Sequence, residues 1–325
     1  MFNRLKIYMI VSLVLASIIS CSRKTDVVGP DICPSNNFGF TSNFVVDDPA
    51  LTTNVGEVNL LTSYAKISAS FNETINWEVK VIGLTSGATT KYSGFSNTVD
   101  LKWYGEPNTS IFYQKGEKVK IEFYAACSKE PKASSELKIT TDISLSKFGA
   151  VVANFDDVSD IGGPYAKDPA NPPIISLISN ADANYTSSFQ GGKYLNFKCD
   201  LTPTQSEWYF GGMYFNNIKA VVANLPTDPT IVYLNIQVKG APNSQAQFIF
   251  REKIPGVTDL QKRSYLINAT EKWKNNYIKL SDIGVINPKA LENFDLNLGA
   301  STTKSNSASV DTDLIIFTVG QPLIQ

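Results

Sequence analysis

The 325-residue sequence contains no histidine. That absence removes Ser-His-Asp triads, histidine acid–base chemistry and His-ligated zinc or haem. Net charge is nearly absent too: 29 Lys and Arg stand against 30 Asp and Glu, so no whole-chain field exists to gather nucleic acid. No strand carries the alternating Glu-x-Asp-x-Glu pattern that would place paired carboxylates for glycoside hydrolysis. Neither Gly-Gly pair opens a Gly-x-Gly-x-x-Gly or Walker pattern for phosphates. Together these absences predict a chain that is not an enzyme and does not bind nucleic acid. The 43% apolar content over this length supplies enough for two cores.

One hydrophobic run is present and it is short. From Ile7 to Ile19 only Ser12 and Ser17 interrupt about 13 residues, preceded by Arg4 and Lys6. A membrane-spanning helix needs roughly 20. Ile18-Ile19-Ser20-Cys21 ends the run, and the arrangement resembles a bacterial lipoprotein signal peptide with its lipobox. The resemblance implies cleavage after residue 20, lipidation of Cys21 and an outer-membrane anchor, which two or more acyl chains hold firmly. Cleavage leaves 27 basic against 30 acidic residues. The polar residues 21–35 read as a tether.

Three further cysteines match no Cys-x-x-Cys spacing. An oxidising compartment would allow Cys33 to pair with Cys127, whereas Cys199, among Leu195, Phe197 and Leu201, reads as a buried free thiol.

Beyond residue 31, strand patterns dominate. Segments 67–71, 74–81, 98–103, 118–125 and 137–141 read as strands, with Ile75, Trp77, Val79 and Val81 alternating onto one face. Roughly seven short strands over residues 36–146 predict an immunoglobulin-like sandwich with Trp77 in its core. Residues 147–325 form a second all-β unit, with strands at 193–199, 207–215, 231–239, 245–252, 277–280, 291–298 and 313–319. Its size suits a jelly roll. Residues 164–173, rich in Pro and Asp, read as a loop, and 287–290 as a turn.

The second unit opens on Asn154-Phe155-Asp156-Asp157, continues through Gln190-Gly191-Gly192-Lys193-Tyr194-Leu195-Asn196-Phe197 and closes on Asp311-Thr312-Asp313-Leu314-Ile315-Ile316-Phe317. This resembles the galactose-binding-like jelly rolls used as carbohydrate-binding modules. With the lipoprotein start and the Ig-like spacer, the arrangement resembles a Bacteroidota surface glycan-binding lipoprotein of the polysaccharide-uptake type. The resemblance implies non-catalytic glycan capture at the cell surface beside an outer-membrane uptake complex. It also implies one structural Ca2+, held by Asp156 or Asp157, Asp313 and main-chain oxygens at Gly191 and Lys193.

A sugar needs an aromatic plane for its C–H face and polar groups for its rim. Alternation turns Val232, Leu234, Ile236 and Val238 inward and Tyr233, Asn235, Gln237 and Lys239 outward. Phe248 and Phe250 point in, with Gln247, Ile249 and Arg251 opposite; Phe294 and Leu296 point in, with Asp295 and Asn297 opposite. Tyr194 joins the outward set. Trp208, Trp273 and Tyr165 are the candidate stacking rings. The glycine pair after Trp208-Tyr209-Phe210 implies a bulge or a close approach. The alternative is a structural or adhesive lipoprotein that docks a protein through a continuous apolar patch rather than through rings aligned with polar groups.

Overall fold

The computed structural model describes residues 33–323, except 52–55, 109–110, 157–158, 160, 180, 184–191 and 217. Cys21 and the expected tether up to residue 32 therefore lie outside the described residues. The architecture is all-β, with strands gathered into three sheets.

Residues 40–139 build one six-stranded sheet from β1 (Phe40–Asp47), β2 (Glu57–Val58), β3 (Ala65–Gly83), β4 (Thr89–Trp103), β5 (Lys118–Ala125) and β6 (Ala133–Ile139). The segments expected as two strands at 67–71 and 74–81 are halves of the single 19-residue β3. Its first half pairs with β1 and its second with β5, while β4 runs along its other side, irregular between Ser70 and Ile75. Two long strands thus do the work expected of several short ones. Ile75, Trp77, Val79 and Val81 all bury on one face. The Trp77 indole donates to Ser96 Oγ at 2.9 Å, which satisfies its polar edge.

Cys33 and Cys127 are joined, with Cα atoms 5.4 Å apart across a sequence separation of 94. Cys199 is a buried free thiol donating to the Asn171 carbonyl at 3.4 Å, and burial pushes its pKa up. It is therefore held as an inert thiol.

Residues 150–319 form two facing sheets. Their strands are β7 (Ala150–Ala153), β8 (Ile161–Ala166), β9 (Ile174–Ile178), β10 (Tyr194–Asp200), β11 (Tyr209–Phe215), β12 (Val232–Gly240), β13 (Ser244–Glu252), β14 (Gln261–Asn268), β15 (Lys274–Lys279), β16 (Leu291–Ala300) and β17 (Ser307–Val319). One sheet runs β15-β12-β17-β10-β9, with β7 also paired to β17; the other runs β14-β13-β16-β11-β8. Expectations change at β8, β9 and β14, none of which was expected as a strand. Pro164–Ala166, read as loop, belongs to β8, an edge strand where proline costs no central ladder bond. β14 was not expected as a strand, because its lysine, arginine, serine and asparagine mask the alternation of an edge.

The core between these sheets interleaves Phe248, Phe250 and Phe294 with Leu195, Phe197, Ile236 and Phe317. Phe294 is its hub, stacked on Phe250 at 4.6 Å and on Phe215 at 5.0 Å. The outer face of the first of these sheets is closed at one end. There Leu314 and Ile316 of β17 meet Phe112 from the residues before β5, Leu145 and Phe148 from the linker, Val151 of β7 and Leu323 from the C-terminal tail.

Loss of the disulfide releases a long loop in the unfolded chain, a stabilisation of about 3–5 kcal/mol on chain-entropy grounds. Cys127→Ser should therefore lower the urea midpoint of the first unit markedly. An unchanged midpoint would contradict this.

Candidate functional site

The two outer faces of the sandwich differ. On the β17 sheet, Tyr233, Asn235, Gln237 and Lys239 do point away from the core, as alternation predicts, yet this face is largely occupied. Asn235 and Gln237 are buried. Asn235 Oδ1 accepts from the Leu323 N–H at 2.8 Å, and Asn275 donates to the Leu323 carbonyl at 2.7 Å, so the tail lies across them. Neither amide presents itself to a ligand. Tyr194 is likewise buried, in edge contact with Trp273 at 5.5 Å. The Lys239 ammonium lies 4.8 Å from one ring and 4.7 Å from the other and pairs with Asp311 at 3.4 Å. These two rings hold a lysine through cation–π contact. Tyr233 is half-buried beside Lys279.

The β16 sheet keeps its outer face open. Cross-strand registry lays its residues in rows. Leu266, Gln247, Asn297, Gly212 and Tyr165 form one row, and Ser264, Ile249, Asp295 and Tyr214 the next. Lys262, Arg251 and Asn293 follow on one side, and Gln245, Gly299 and Tyr209 on the other. Tyr165, Tyr209, Tyr214, Gln247, Ile249, Arg251, Lys262 and Asn297 line a cleft of about 390 Å³. Tyr165, Gln247, Arg251 and Asp295 of the expected set meet on this one face.

Tyr209 and Tyr214 were not among the expected site residues, and the glycine pair explains why. They lie five positions apart, so a regular strand would turn them to opposite faces. A register irregularity between Tyr209 and Gly211 brings both to the open face. Gly212 admits Tyr165: a Cβ there would stand 2.3 Å from the Tyr165 ring and hydroxyl and 2.5 Å from Asn297 Oδ1. The end of the Tyr165 ring therefore lies beside bare backbone. Its hydroxyl donates to Asn297 Oδ1 at 2.5 Å, and its ring meets Tyr214 at 4.8 Å with a 38° tilt. Tyr214 stays 47% exposed, a plane facing solvent.

The floor of the cleft is charged. Asp295 is fully buried and pairs with Arg251. Burial pushes the Asp295 carboxyl up, while the Arg251 guanidinium pulls it down. Burial, helped by Tyr209 and Asp295, raises the Tyr165 hydroxyl well above the ordinary tyrosine range, so it stays a neutral donor.

Trp208 precedes β11, with its carbonyl accepting from the Ala300 N–H at 2.9 Å. Its ring is exposed but stands outside the residues lining the cleft.

The expected calcium ligands are partly visible. Asp156 Oδ1 accepts from the Lys193 N–H at 3.1 Å, and the Lys193 ammonium reaches the Asp156 carbonyl at 3.3 Å. Asp313 is buried in β17. Asp157 and Gly191 lie outside the described residues. Among the described residues no group of three or more His, Cys, Asp or Glu gathers. The Lys193 cation stands at the Asp156 main chain, beside one of the oxygens that a calcium ion would use.

A raised carboxyl favours its protonated form in the fold. Its contribution is present below about pH 4 and is lost as pH climbs through the folded value. Arg251→Met removes the compensating charge. It should cost about 3 kcal/mol near neutrality and much less at pH 4. Urea titrations across that range check this; a pH-independent loss would contradict it. Gly212→Ala should displace the Tyr165 ring while leaving the core intact, read as altered tyrosine near-ultraviolet dichroism with little change in the urea midpoint.

No protein-family model and no curated protein matches the chain. Solved structures with similar β-sandwiches include a family 11 carbohydrate-binding module of the cellulosomal cellulase Lic26A-Cel5E of Clostridium thermocellum. It is 14% identical, covering 53% of this chain and 95% of that one, with a TM-score of 0.36. Another is a family 11 module from the same organism in complex with a beta-1,3-1,4-mixed-linked tetrasaccharide, at 15% identity, 55% and 98% coverage and a TM-score of 0.36. A third is the CBM22-1 xylan-binding domain of Xyn10C from Paenibacillus barcinonensis, at 14% identity, 54% and 97% coverage and a TM-score of 0.32. At these scores the likeness carries no argument about ligand or family.

Proposed function

We propose that this chain binds a polysaccharide or oligosaccharide without catalysis, as a lipid-anchored outer-membrane protein that captures glycan for uptake. The observation that carries the reading is the open cleft of the β16 sheet, where three tyrosines, two amides and an arginine line one concave surface. Tyr214 offers a half-exposed plane for the C–H face of a sugar ring. Gln247, Asn297, Tyr165 and Arg251 offer donors and acceptors for its hydroxyl rim. These are rings aligned with polar groups, the feature that favours a glycan over a docked protein.

In this proposal the lipobox cysteine, Cys21, supplies the anchor. The first unit is an Ig-like spacer carrying a jelly-roll-like binding unit away from the bilayer. Trp208, exposed at the end of β11, extends the platform only for a longer glycan. Trp273 and Tyr194 hold Lys239 instead.

Affinity gel electrophoresis of the full chain against plant, algal and host polysaccharides tests the reading. One glycan class should retard the protein, and Tyr214→Ala should weaken that retardation about tenfold, as loss of a central aromatic contact does. Tyr214 is partly exposed, so the variant keeps its core. Retardation that survives Tyr214→Ala but disappears in Trp273→Ala would move the site to the other sheet.

A further inference from the structure

We propose that the glycan taken by this cleft is anionic, with a carboxylate or sulfate group seated between Lys262 and Arg251; this rests on the cleft being a glycan site. Arg251 on β13 and Lys262 on β14 stand directly opposite each other, and both line the cleft. Like charges directly opposed across antiparallel strands destabilise the pair. The two cations are not equally compensated. Arg251 is committed to the buried Asp295, whereas exposed Lys262 acts on that carboxylate only at longer range and forms no ion pair among the described residues.

The corner therefore carries one positive charge in excess, two residues along β13 from Ile249 and beside the tyrosine surface. A lysine on an edge strand also guards against edge-to-edge association. Lys262 differs from an ordinary guard because its opposite neighbour is a second cation facing the same concavity. A neutral sugar seated there would partly desolvate the ammonium without returning an equivalent interaction. An oxyanion substituent would accept a charge-assisted hydrogen bond from Lys262 and a second from the Arg251 guanidinium, whose donors exceed what Asp295 alone accepts. Carboxylate and sulfate share this chemistry. The neighbouring tyrosines would still stack on the ring that bears the substituent.

The test compares polymers with the charge present or removed, using the full chain. Polygalacturonate should retard the protein, and its fully methyl-esterified form should do so about tenfold less. Lys262→Gln should weaken polygalacturonate binding about fivefold, the range expected for one charge-assisted contact at a partly exposed site. Retention should fall as salt approaches about 1 M, where the Debye length shrinks to about 3 Å. κ-Carrageenan retained with the same dependence on Lys262 would assign sulfate in place of carboxylate.

Polyanion retention unchanged by Tyr214→Ala would place the charge contact outside the cleft and overturn the inference. So would tight binding of neutral mixed-linkage β-glucan or xylan, equal in wild type and Lys262→Gln, with no polyanion retained. In that case the glycan-binding reading stands and only the anionic class falls. Retention of no polymer at all, charged or neutral, overturns both.

Discussion

A β-sandwich hides one face of each sheet and leaves two faces that something must cover or use. In this molecule an apolar joint settles which is which. Phe112, Leu145, Phe148 and Leu323 close over Leu314 and Ile316 of the β17 sheet. The C-terminal tail then extends the cover, fixed by the Asn235 and Asn275 amides through Leu323. Once that face is committed to joining the two parts of the chain, the opposite sheet is left to meet solvent. Its open rows of tyrosine, amide and charge follow from that division.

The open face is held in place from beneath. Phe294 stacks on Phe250 and Phe215, and the alternate residues of the same strands then project outward as Asp295, Arg251 and Tyr214. Gly212 leaves room for the end of the Tyr165 ring beside its backbone, where Asn297 accepts from the hydroxyl. Several groups that would meet a ligand are thus positioned by side-chain contacts on a regular sheet, which lowers the ordering cost of binding.

Much of this was legible in the sequence, and the failures have identifiable causes. Strand alternation correctly separated Phe248 and Phe250 from Gln247 and Arg251, and Leu234 and Ile236 from Asn235 and Gln237. Alternation gives two sides of a strand, however, and says nothing about what covers the outer one. The tail residue Leu323 that lies over Asn235 is 88 residues away in sequence, beyond any local pattern. The disulfide pairing of Cys33 with Cys127 was one of the arrangements the cysteine count allowed. Tyr209 and Tyr214 escaped because a bulge at the glycine pair resets the period between them. Lys262 escaped because β14 is a polar edge strand, and edge strands lack the apolar alternation that announces central ones. The glycine pair was the available signal, read as a bulge or close approach but not carried through to the tyrosines it re-aims.

The central claim is that ligand occupies the open face of the β16 sheet and not the covered face of the β17 sheet. Hydrogen–deuterium exchange of the full chain, with and without a saturating retained polysaccharide, tests it most directly. The account predicts slowed exchange concentrated in β11, β13 and β14, with β12 and β15 unchanged. Protection centred on residues 233–239 and 273–279 instead would contradict it.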